Sequence, residues 1–302
     1  MTETDLSGRT AIVTGAGAGL GRAEALGLAA QGASVVVNDL GPAGEDVVRE
    51  IEAAGGRALA VPGDVRDWAL GDRLVEAAVS TFGSLDIVVN NAGITRDAML
   101  FNMSEKQWDD VIDIHLKGHA ALSRAAAVYW RAESKKVDGP VFARVVNTAS
   151  EAFLLGGAGQ ANYAAAKAGI VALTLSTARG LSRYGVTANA ICPRGRTEMT
   201  EAVFKQTAAA DGMDLMAPER VATLVSFLAS PAAADVTGQV FIVYGDMVAL
   251  MAAPVVAEKF VADSGTFSVD ELAAKVVPYV QGLDGANYVA SSINALDTTG
   301  AV

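Results

Sequence analysis

Features of secreted and membrane proteins are scarce in this sequence. Cys192 is the single cysteine, which excludes an internal disulfide, and the sequence shows no charged leader followed by an apolar core. No uninterrupted apolar stretch reaches the roughly 18 residues that cross a bilayer. We therefore expect a cytoplasmic protein without a membrane partner.

Basic residues are also few, with 23 Lys and Arg against 34 Asp and Glu and a formal net charge of -11. Nucleic-acid binding requires Lys and Arg that neutralise phosphates, so this charge argues against a nucleic-acid partner. The two histidines, His115 and His119, stand at helical spacing, but no acidic third ligand has a suitable spacing. The sequence predicts no metal site, and it favours Cys192 as a core residue because no base or helix start is placed to activate the thiol.

Apolar residues are abundant, at 51% of the 302 residues, and can build a sizeable core. Short apolar runs such as Thr10 to Thr14, Ser34 to Asn38 and Leu85 to Asn90 alternate with helical patterns, which is typical of right-handed βαβ crossovers. The pattern predicts an α/β fold with a doubly wound parallel sheet of about seven strands and helices on both faces. We assign this domain to residues 1–244 and a C-terminal extension to residues 245–302.

A glycine-rich loop, GAGAGLG, runs from Gly15 to Gly21 between the first apolar run and a helical pattern. Glycines let backbone N–H groups approach a phosphate closely, and the positive end of the helix dipole favours the anion. This placement predicts a binding site for the phosphates of a dinucleotide.

Asp39 ends the second apolar run, eighteen residues beyond Gly21. In dinucleotide-binding folds an acidic residue about 20 residues beyond the glycines accepts hydrogen bonds from the adenosine ribose and repels a 2'-phosphate. We therefore predict NAD rather than NADP as the cofactor. The alternative is that Asp39 only begins the turn Asp-Leu-Gly-Pro.

Three residues in the middle of the chain suggest proton transfer to or from a carbonyl oxygen. Ser150 follows an apolar run, and Tyr163 and Lys167 lie four residues apart in a helical pattern, which places them on one helix face. A phenol titrates near 10 in water, and a neighbouring ammonium group favours the phenolate. We expect Lys167 to lower the pKa of Tyr163.

Taken together, these motifs resemble the short-chain dehydrogenase/reductase family over about residues 7 to 244. The run from Thr14 to Gly21 matches the TGxxxGxG loop, the run from Asn90 to Gly93 matches the NNAG motif, and the spacing from Ser150 to Tyr163 is the usual one. The resemblance implies that the following residues contact the cofactor: Gly15, Gly19, Leu20, Gly21, Asp39, Asp64, Val65, Asn91, Ala92, Gly93, Tyr163, Lys167, Pro193 and Thr197.

The resemblance also implies catalytic roles. Tyr163 exchanges a proton with the substrate oxygen, Lys167 holds the nicotinamide ribose, and Ser150 hydrogen-bonds the developing alkoxide. His115 stands where the family usually has a catalytic Asn. Two roles are open for His115: support of the ordered water that the Asn normally holds, or helix packing.

Three features resemble the hydroxyacyl-CoA dehydrogenase domains of multifunctional β-oxidation enzymes. They are His115, Arg194 in place of the usual Gly after Pro193, and the run VNDLG from Val37 to Gly41. This resemblance implies a 3-hydroxyacyl-CoA type of substrate. Alternatives are a 3-oxoacyl-carrier-protein reductase or another carbonyl reductase and, in a different class, a non-catalytic dinucleotide-binding regulator. The family commonly forms homodimers or homotetramers, and the extension serves either as a lid over the substrate or in subunit packing.

Overall fold

One eight-stranded sheet organises the computed structural model, which describes residues 3–197, 200, 212–254 and 256–283. The strands are β1 (Thr10–Thr14), β2 (Ser34–Asn38), β3 (Arg57–Ala60), β4 (Ile87–Asn90), β5 (Ala143–Thr148), β6 (Val186–Pro193), β7 (Val240–Tyr244) and β8 (Met247–Leu250). Their order is β3-β2-β1-β4-β5-β6-β7-β8, and all neighbours are parallel except β7 and β8.

Helices cover both faces of the sheet. They are α1 (Gly19–Ala30), α2 (Ala43–Ala53), α3 (Leu70–Phe82), α4 (Glu105–Ile112), α5 (Gly118–Lys136), α6 (Ala152–Leu155), α7 (Ala161–Leu181), α8 (Pro218–Ala229) and α9 (Val269–Gln281). One core cluster joins the sheet to α1, α2 and α8, and a second joins it to α3 and α5. The predicted doubly wound α/β fold is confirmed.

The central strands are apolar throughout because both of their faces are covered. All five residues of β1 and of β2 are buried, and β1 pairs with β2 on one side and β4 on the other. The first strands of the chain, β2 and β3, lie on one side of β1, and the later strands, from β4 onward, lie on the other. The order of the strands therefore reverses at β1. In doubly wound sheets ligands bind at this switch point, outside the carboxyl ends of the strands.

The helical pattern from Ser104 to about Ala132 predicts one long helix, whereas the structure has two helices joined by a π-helical segment, Asp113–Lys117. Ser104 caps α4 and forms a reciprocal capping box with Gln107. The polar run from Glu133 to Pro140 predicts a linker, but helix α5 continues one turn into it, to Lys136. The linker residues there are helix formers, and polarity alone did not mark the end of the helix.

The C-terminal extension contributes to the sheet. Gly245 has a φ of +58° and turns the chain, so that Met247 pairs with Tyr244 and β8 runs antiparallel to β7. Ser268 caps α9, and its side chain accepts the N–H of Glu271. Residues 284–302 lie outside the described residues, and the division at residue 245 stays a prediction.

Among the described residues, no helix is long and apolar enough to cross a membrane. The cytoplasmic location stays a prediction.

Candidate active site

A cavity of about 380 Å³ lies at the carboxyl ends of β1, β2, β4 and β5, a size typical of small-molecule sites. It brings together most of the residues selected from the sequence: Gly15, Gly19, Leu20, Asp39, Asp64, Val65, Asn91, Ala92, Gly93, His115, Tyr163, Lys167, Pro193 and Thr197. Gly21 and Ser150 are not part of its lining.

The glycine loop between β1 and α1 forms one wall of the cavity. Gly15 has a φ of +62°, which a side chain disfavours. A Cβ at Gly21 would lie 2.3 Å from the Gly15 carbonyl oxygen. Gly21 therefore lets α1 begin close behind the loop, which explains why it does not line the cavity.

Asn91 holds this loop against β4. Its side-chain amide donates to the carbonyl oxygens of Thr14 and Gly15 at 3.1 and 3.2 Å. The backbone N–H groups of Asn91 and Ala92 donate to the Thr14 hydroxyl at 3.1 and 3.2 Å. The Asn91 side chain thus shapes the cavity wall, with its amide engaged by protein carbonyls.

Asp39 lies at the end of β2 with its carboxylate facing the glycine loop. One oxygen accepts the N–H of Gly17 at 2.8 Å, and the other accepts the N–H of Leu40 at 2.7 Å. Each carboxylate oxygen has a second lone pair, so Asp39 can still accept hydrogen bonds from a ligand. The carboxylate is thereby fixed in position as a negative charge at this end of the cavity.

Asp64 is engaged by Arg66, a contact that the sequence analysis did not predict. The Arg66 N–H donates to one Asp64 oxygen at 2.9 Å, and the Arg66 Nε donates to the other at 2.8 Å. The hydrogen bonds from the Arg66 side chain lower the pKa of Asp64. Asp64 is therefore anionic at the mouth of the cavity.

The three predicted catalytic residues come together at the ends of β5 and α7. Helix α7 carries Tyr163 and Lys167 on one face, with the Lys167 Nζ 5.3 Å from the centre of the Tyr163 ring. Lys167 is buried and donates to the Thr148 carbonyl oxygen at 2.6 Å. Ser150 follows β5, and its hydroxyl oxygen accepts the N–H of Ala152 at 3.2 Å.

Burial dominates the electrostatics of this group. It raises the pKa of Tyr163, and a hydrogen bond with Ser150 opposes the rise. Burial also lowers the pKa of the Lys167 amine to about 7. The predicted lowering of the Tyr163 pKa is therefore wrong for this structure, because desolvation of the phenol outweighs the Ser150 hydrogen bond and Lys167 is itself only partly charged near pH 7.

His115 lies in the π-helical segment and its side chain is buried against the cavity. Its Nε2 lies 2.7 Å from the Ile94 carbonyl oxygen and 3.0 Å from the Ile94 nitrogen. The ring meets the Tyr163 ring edge to face, with centres 5.2 Å apart. A Cβ at Gly93 would lie 2.3 Å from His115 Cε1, so the glycine of the NNAG motif makes room for this imidazole.

Burial, followed by the Lys167 charge, lowers the pKa of His115 to about 3. The imidazole is thus neutral at physiological pH. Its contacts indicate a positioning role, because it joins the loop after β4 to the Tyr163 ring. Π-helical turns are frequent at functional sites, and this one places His115 at the cavity wall.

Some cavity residues were missed by the sequence analysis: Ala18, Asn38, Leu40, Gly63, Ile94, Ile114, Thr148, Ala149 and Thr200. Asn38 and Thr148 could have been selected because each ends a predicted parallel strand. Ile114 lies within the π-helical segment, which no pattern in the sequence indicates. Burial raises the pKa of the Cys192 thiol to about 12, as expected of a core residue rather than a nucleophile.

Residues 9–208 match the family model described as short chain dehydrogenase. The chain belongs to the short-chain dehydrogenase family. The family resemblance inferred from the motifs is therefore confirmed. Members of this family are oxidoreductases that use a nicotinamide cofactor, and the cavity described above occupies the position where a doubly wound sheet binds one.

Relatives within the short-chain dehydrogenase family differ in substrate. The chain is 58% identical to hydroxyacyl-CoA dehydrogenase ChsB1 of Mycobacterium tuberculosis, covering 93% of this chain and 91% of that protein. It is 41% identical to a 3-oxoacyl-[acyl-carrier-protein] reductase of Synechocystis, covering 81% of this chain and 99% of that protein. The crystal structure of a short chain dehydrogenase from Mycobacterium avium superposes with a TM-score of 0.83 and 45% identity, covering 92% of this chain and 97% of that one.

Proposed function

We propose that this protein is an NAD-dependent dehydrogenase that interconverts the hydroxyl and ketone forms of a 3-hydroxyacyl-CoA type substrate. The observation that supports the chemistry best is the placement of Tyr163 and Lys167 at the cavity, with Ser150 hydrogen-bonded to Tyr163. The thioester substrate is supported by the 58% identical hydroxyacyl-CoA dehydrogenase. We also propose a homodimer or homotetramer, as is common in the family.

The cavity fits a dinucleotide because glycines line it where a Cβ would intrude and because its two ends differ in chemistry. At the glycine loop, backbone N–H groups at the start of α1 would hold the phosphates. Asp39 would accept hydrogen bonds from the adenosine ribose, and Asp64 and Val65 would flank the adenine. At the other end, Lys167, Pro193 and Thr197 would contact the nicotinamide half.

A nicotinamide held by Lys167, Pro193 and Thr197 would take up the hydride in alcohol oxidation and would supply it in ketone reduction. Tyr163 takes the hydroxyl proton in the first direction and returns it in the second. Ser150 donates a hydrogen bond to the substrate oxygen as negative charge develops on it. Lys167 would hold the nicotinamide ribose, and His115 keeps the Tyr163 ring in place through the edge-to-face contact.

A substrate panel tests this proposal. We expect turnover of 3-hydroxyacyl-CoA thioesters with NAD, followed by the absorbance of the reduced nicotinamide. Turnover of simple secondary alcohols alone would contradict the thioester assignment. Reduction of 3-oxoacyl groups on a carrier protein with a strong NADPH preference would favour the reductase alternative. Tight NAD binding without turnover of any of these substrates would favour the regulator.

Replacing Asp39 with serine is expected to lower the ratio of kcat/KM for NAD to kcat/KM for NADP by at least about tenfold. The variant loses hydrogen bonds to a charged group, which contribute about 1.5–3 kcal/mol, and it no longer repels a 2'-phosphate. Steady-state kinetics with both cofactors measure this ratio. Asp39→Asn is the matched control, since it keeps an oxygen for the Gly17 N–H but removes the charge. A wild-type preference for NADP would contradict the role of Asp39.

Replacing His115 with alanine is expected to lower kcat by about 10- to 100-fold, the scale of a misplaced catalytic group. The variant loses the contacts with Ile94 and the Tyr163 ring. His115→Asn, which restores a polar side chain, should lose less. Because the pKa of His115 lies near 3, the shape of the pH–rate profile between pH 6 and 9 should be the same in both variants as in the wild type. If the rate of a His115 variant no longer rose or fell with pH where the wild-type rate does, His115 would instead act as a general acid or base.

A further inference from the structure

A buried ion pair joins the two loops on either side of the reaction site. Glu151 directly follows Ser150, and Arg194 directly follows Pro193. The Arg194 Nε donates to one Glu151 oxygen at 2.7 Å, and a terminal nitrogen donates to the other at 2.9 Å. The side chains are only 12% and 9% exposed. A two-pronged contact of this kind fixes orientation as well as distance, because the guanidinium plane must face the carboxylate.

The sheet does not hold these two loops together by itself. The last registered pair of β5 and β6 is Thr148 with Ile191, and the Ala149 N–H still donates to the Ile191 carbonyl oxygen at 2.7 Å. Ser150 and Arg194 lie beyond that ladder. The ion pair therefore links the two loops beyond the last hydrogen bond of this ladder, on the side of Ser150 and Pro193.

Each partner of the ion pair is anchored in its own loop. The Glu151 carbonyl oxygen accepts the N–H groups of Leu154 and Leu155 at 2.9 and 3.0 Å, so Glu151 is part of the turn that begins α6. The Arg194 N–H donates to the Val243 carbonyl oxygen at 3.0 Å. The Arg194 guanidinium also lies 4.5 Å from the centre of the Tyr244 ring. Movement of either loop would therefore be transmitted to the other.

We propose that Glu151 and Arg194 are positioning residues, which set the Ser150 hydroxyl against the Pro193 side of the cavity where the nicotinamide would lie. This inference rests on the proposed dehydrogenase function. Neither residue is part of the cavity lining, so the pair acts through its chain neighbours Ser150 and Pro193. The pair also gives a reason for Arg194 in place of the usual glycine: the arginine side chain supplies the link to Glu151 that a glycine lacks.

The test uses Glu151→Gln, Arg194→Met and the double variant in the full-length protein. We expect each single variant to slow single-turnover hydride transfer by about 10- to 100-fold while the KM for the substrate changes less than about threefold. The deuterium isotope effect on the transferred hydrogen should rise. The double variant should lose no more than the worse single variant, because the two residues act as one unit. Arg194→Lys, which keeps the positive charge but cannot form the bidentate contact with Glu151, should retain part of the rate of hydride transfer.

Hydrogen exchange gives a second readout that needs no substrate. In both single variants the amides of residues 149–155 should exchange faster, although Arg194→Met changes nothing within that segment. Arg124→Met, which breaks the exposed pair with Asp72, is the matched control and should leave both readouts unchanged. Wild-type exchange in this segment of Arg194→Met would overturn the proposal, as would additive losses in the double variant. A wild type that turns over none of the substrates would refute the proposed function, while the exchange result would still decide whether the pair couples the loops.

Discussion

Replacement of Tyr163 by phenylalanine is expected to lower kcat by about 10²- to 10⁴-fold, the usual contribution of a positioned acid or base. The substitution removes only the hydroxyl and leaves the ring in contact with His115 and Lys167. Binding of the cofactor should therefore change little. Stopped-flow measurement of hydride transfer, beside titration of NADH fluorescence, separates the two effects.

The pH dependence of alcohol oxidation provides an additional check. Burial raises the pKa of Tyr163, so its base form becomes more populated as pH rises through the alkaline range. The wild-type oxidation rate should increase with pH from 7 upwards, and this increase should vanish in Tyr163→Phe. Tyr129, which is partly buried on the neighbouring helix α5, supplies the matched control Tyr129→Phe. Retention of more than a tenth of the wild-type turnover, a margin of about 1.4 kcal/mol in the barrier, would exclude Tyr163 as the proton carrier.

The sequence predicted the strands well because a parallel sheet covered on both faces demands continuous apolar runs. It predicted the bounds of β2 to the residue. The π-helical segment escaped prediction, since helical spacing over residues 104 to 132 does not distinguish α from π hydrogen bonding. Strand β8 also escaped, because a four-residue strand after a turn carries almost no periodicity of its own.

Most residues of the candidate site could be predicted from local motifs. The remaining features depend on contacts between residues that are distant in the sequence. The glycine loop, Asp39 and the Tyr163–Lys167 pair were recognisable because each belongs to a short local pattern. The Glu151–Arg194 contact joins residues 43 positions apart, and no local pattern indicates it. The direction of the Tyr163 pKa shift depends on how deeply α7 is buried, a property of the whole fold.

Glu24 supports the prediction with the largest effect on stability. It lies on the buried face of α1, and within the described part of the chain neither of its carboxyl oxygens has a hydrogen-bond partner. Burial raises its pKa from 4.5 to about 8. Between those two pH values the folded protein keeps a proton that the unfolded chain has lost. The contribution of Glu24 to the free energy of unfolding therefore falls as pH rises from about 4.5 to 8.

Replacing Glu24 with glutamine is expected to remove this fall, because the amide keeps the shape of the side chain and does not titrate. At pH 8 the variant should be more stable than the wild type by several kcal/mol, since each pKa unit corresponds to about 1.4 kcal/mol. Urea unfolding at a series of pH values from 5 to 8 measures the difference. Glu50→Gln, at an exposed carboxylate paired with Arg22, is the control and should change stability little.

Lys167 makes the opposite contribution to the free energy of unfolding, in a higher pH range. Its pKa falls from 10.5 to about 7, so the unfolded chain binds the extra proton and stability rises with pH from about 7 to 10.5. The difference between Glu24→Gln and wild type cancels this contribution, because Lys167 is present in both proteins. A difference that stays constant from pH 5 to 8 would mean that Glu24 is ionised throughout, which requires a partner for its carboxylate. If the difference in the free energy of unfolding grows with pH, the folded protein favours the protonated form of Glu24, in helix α1 beside the glycine loop.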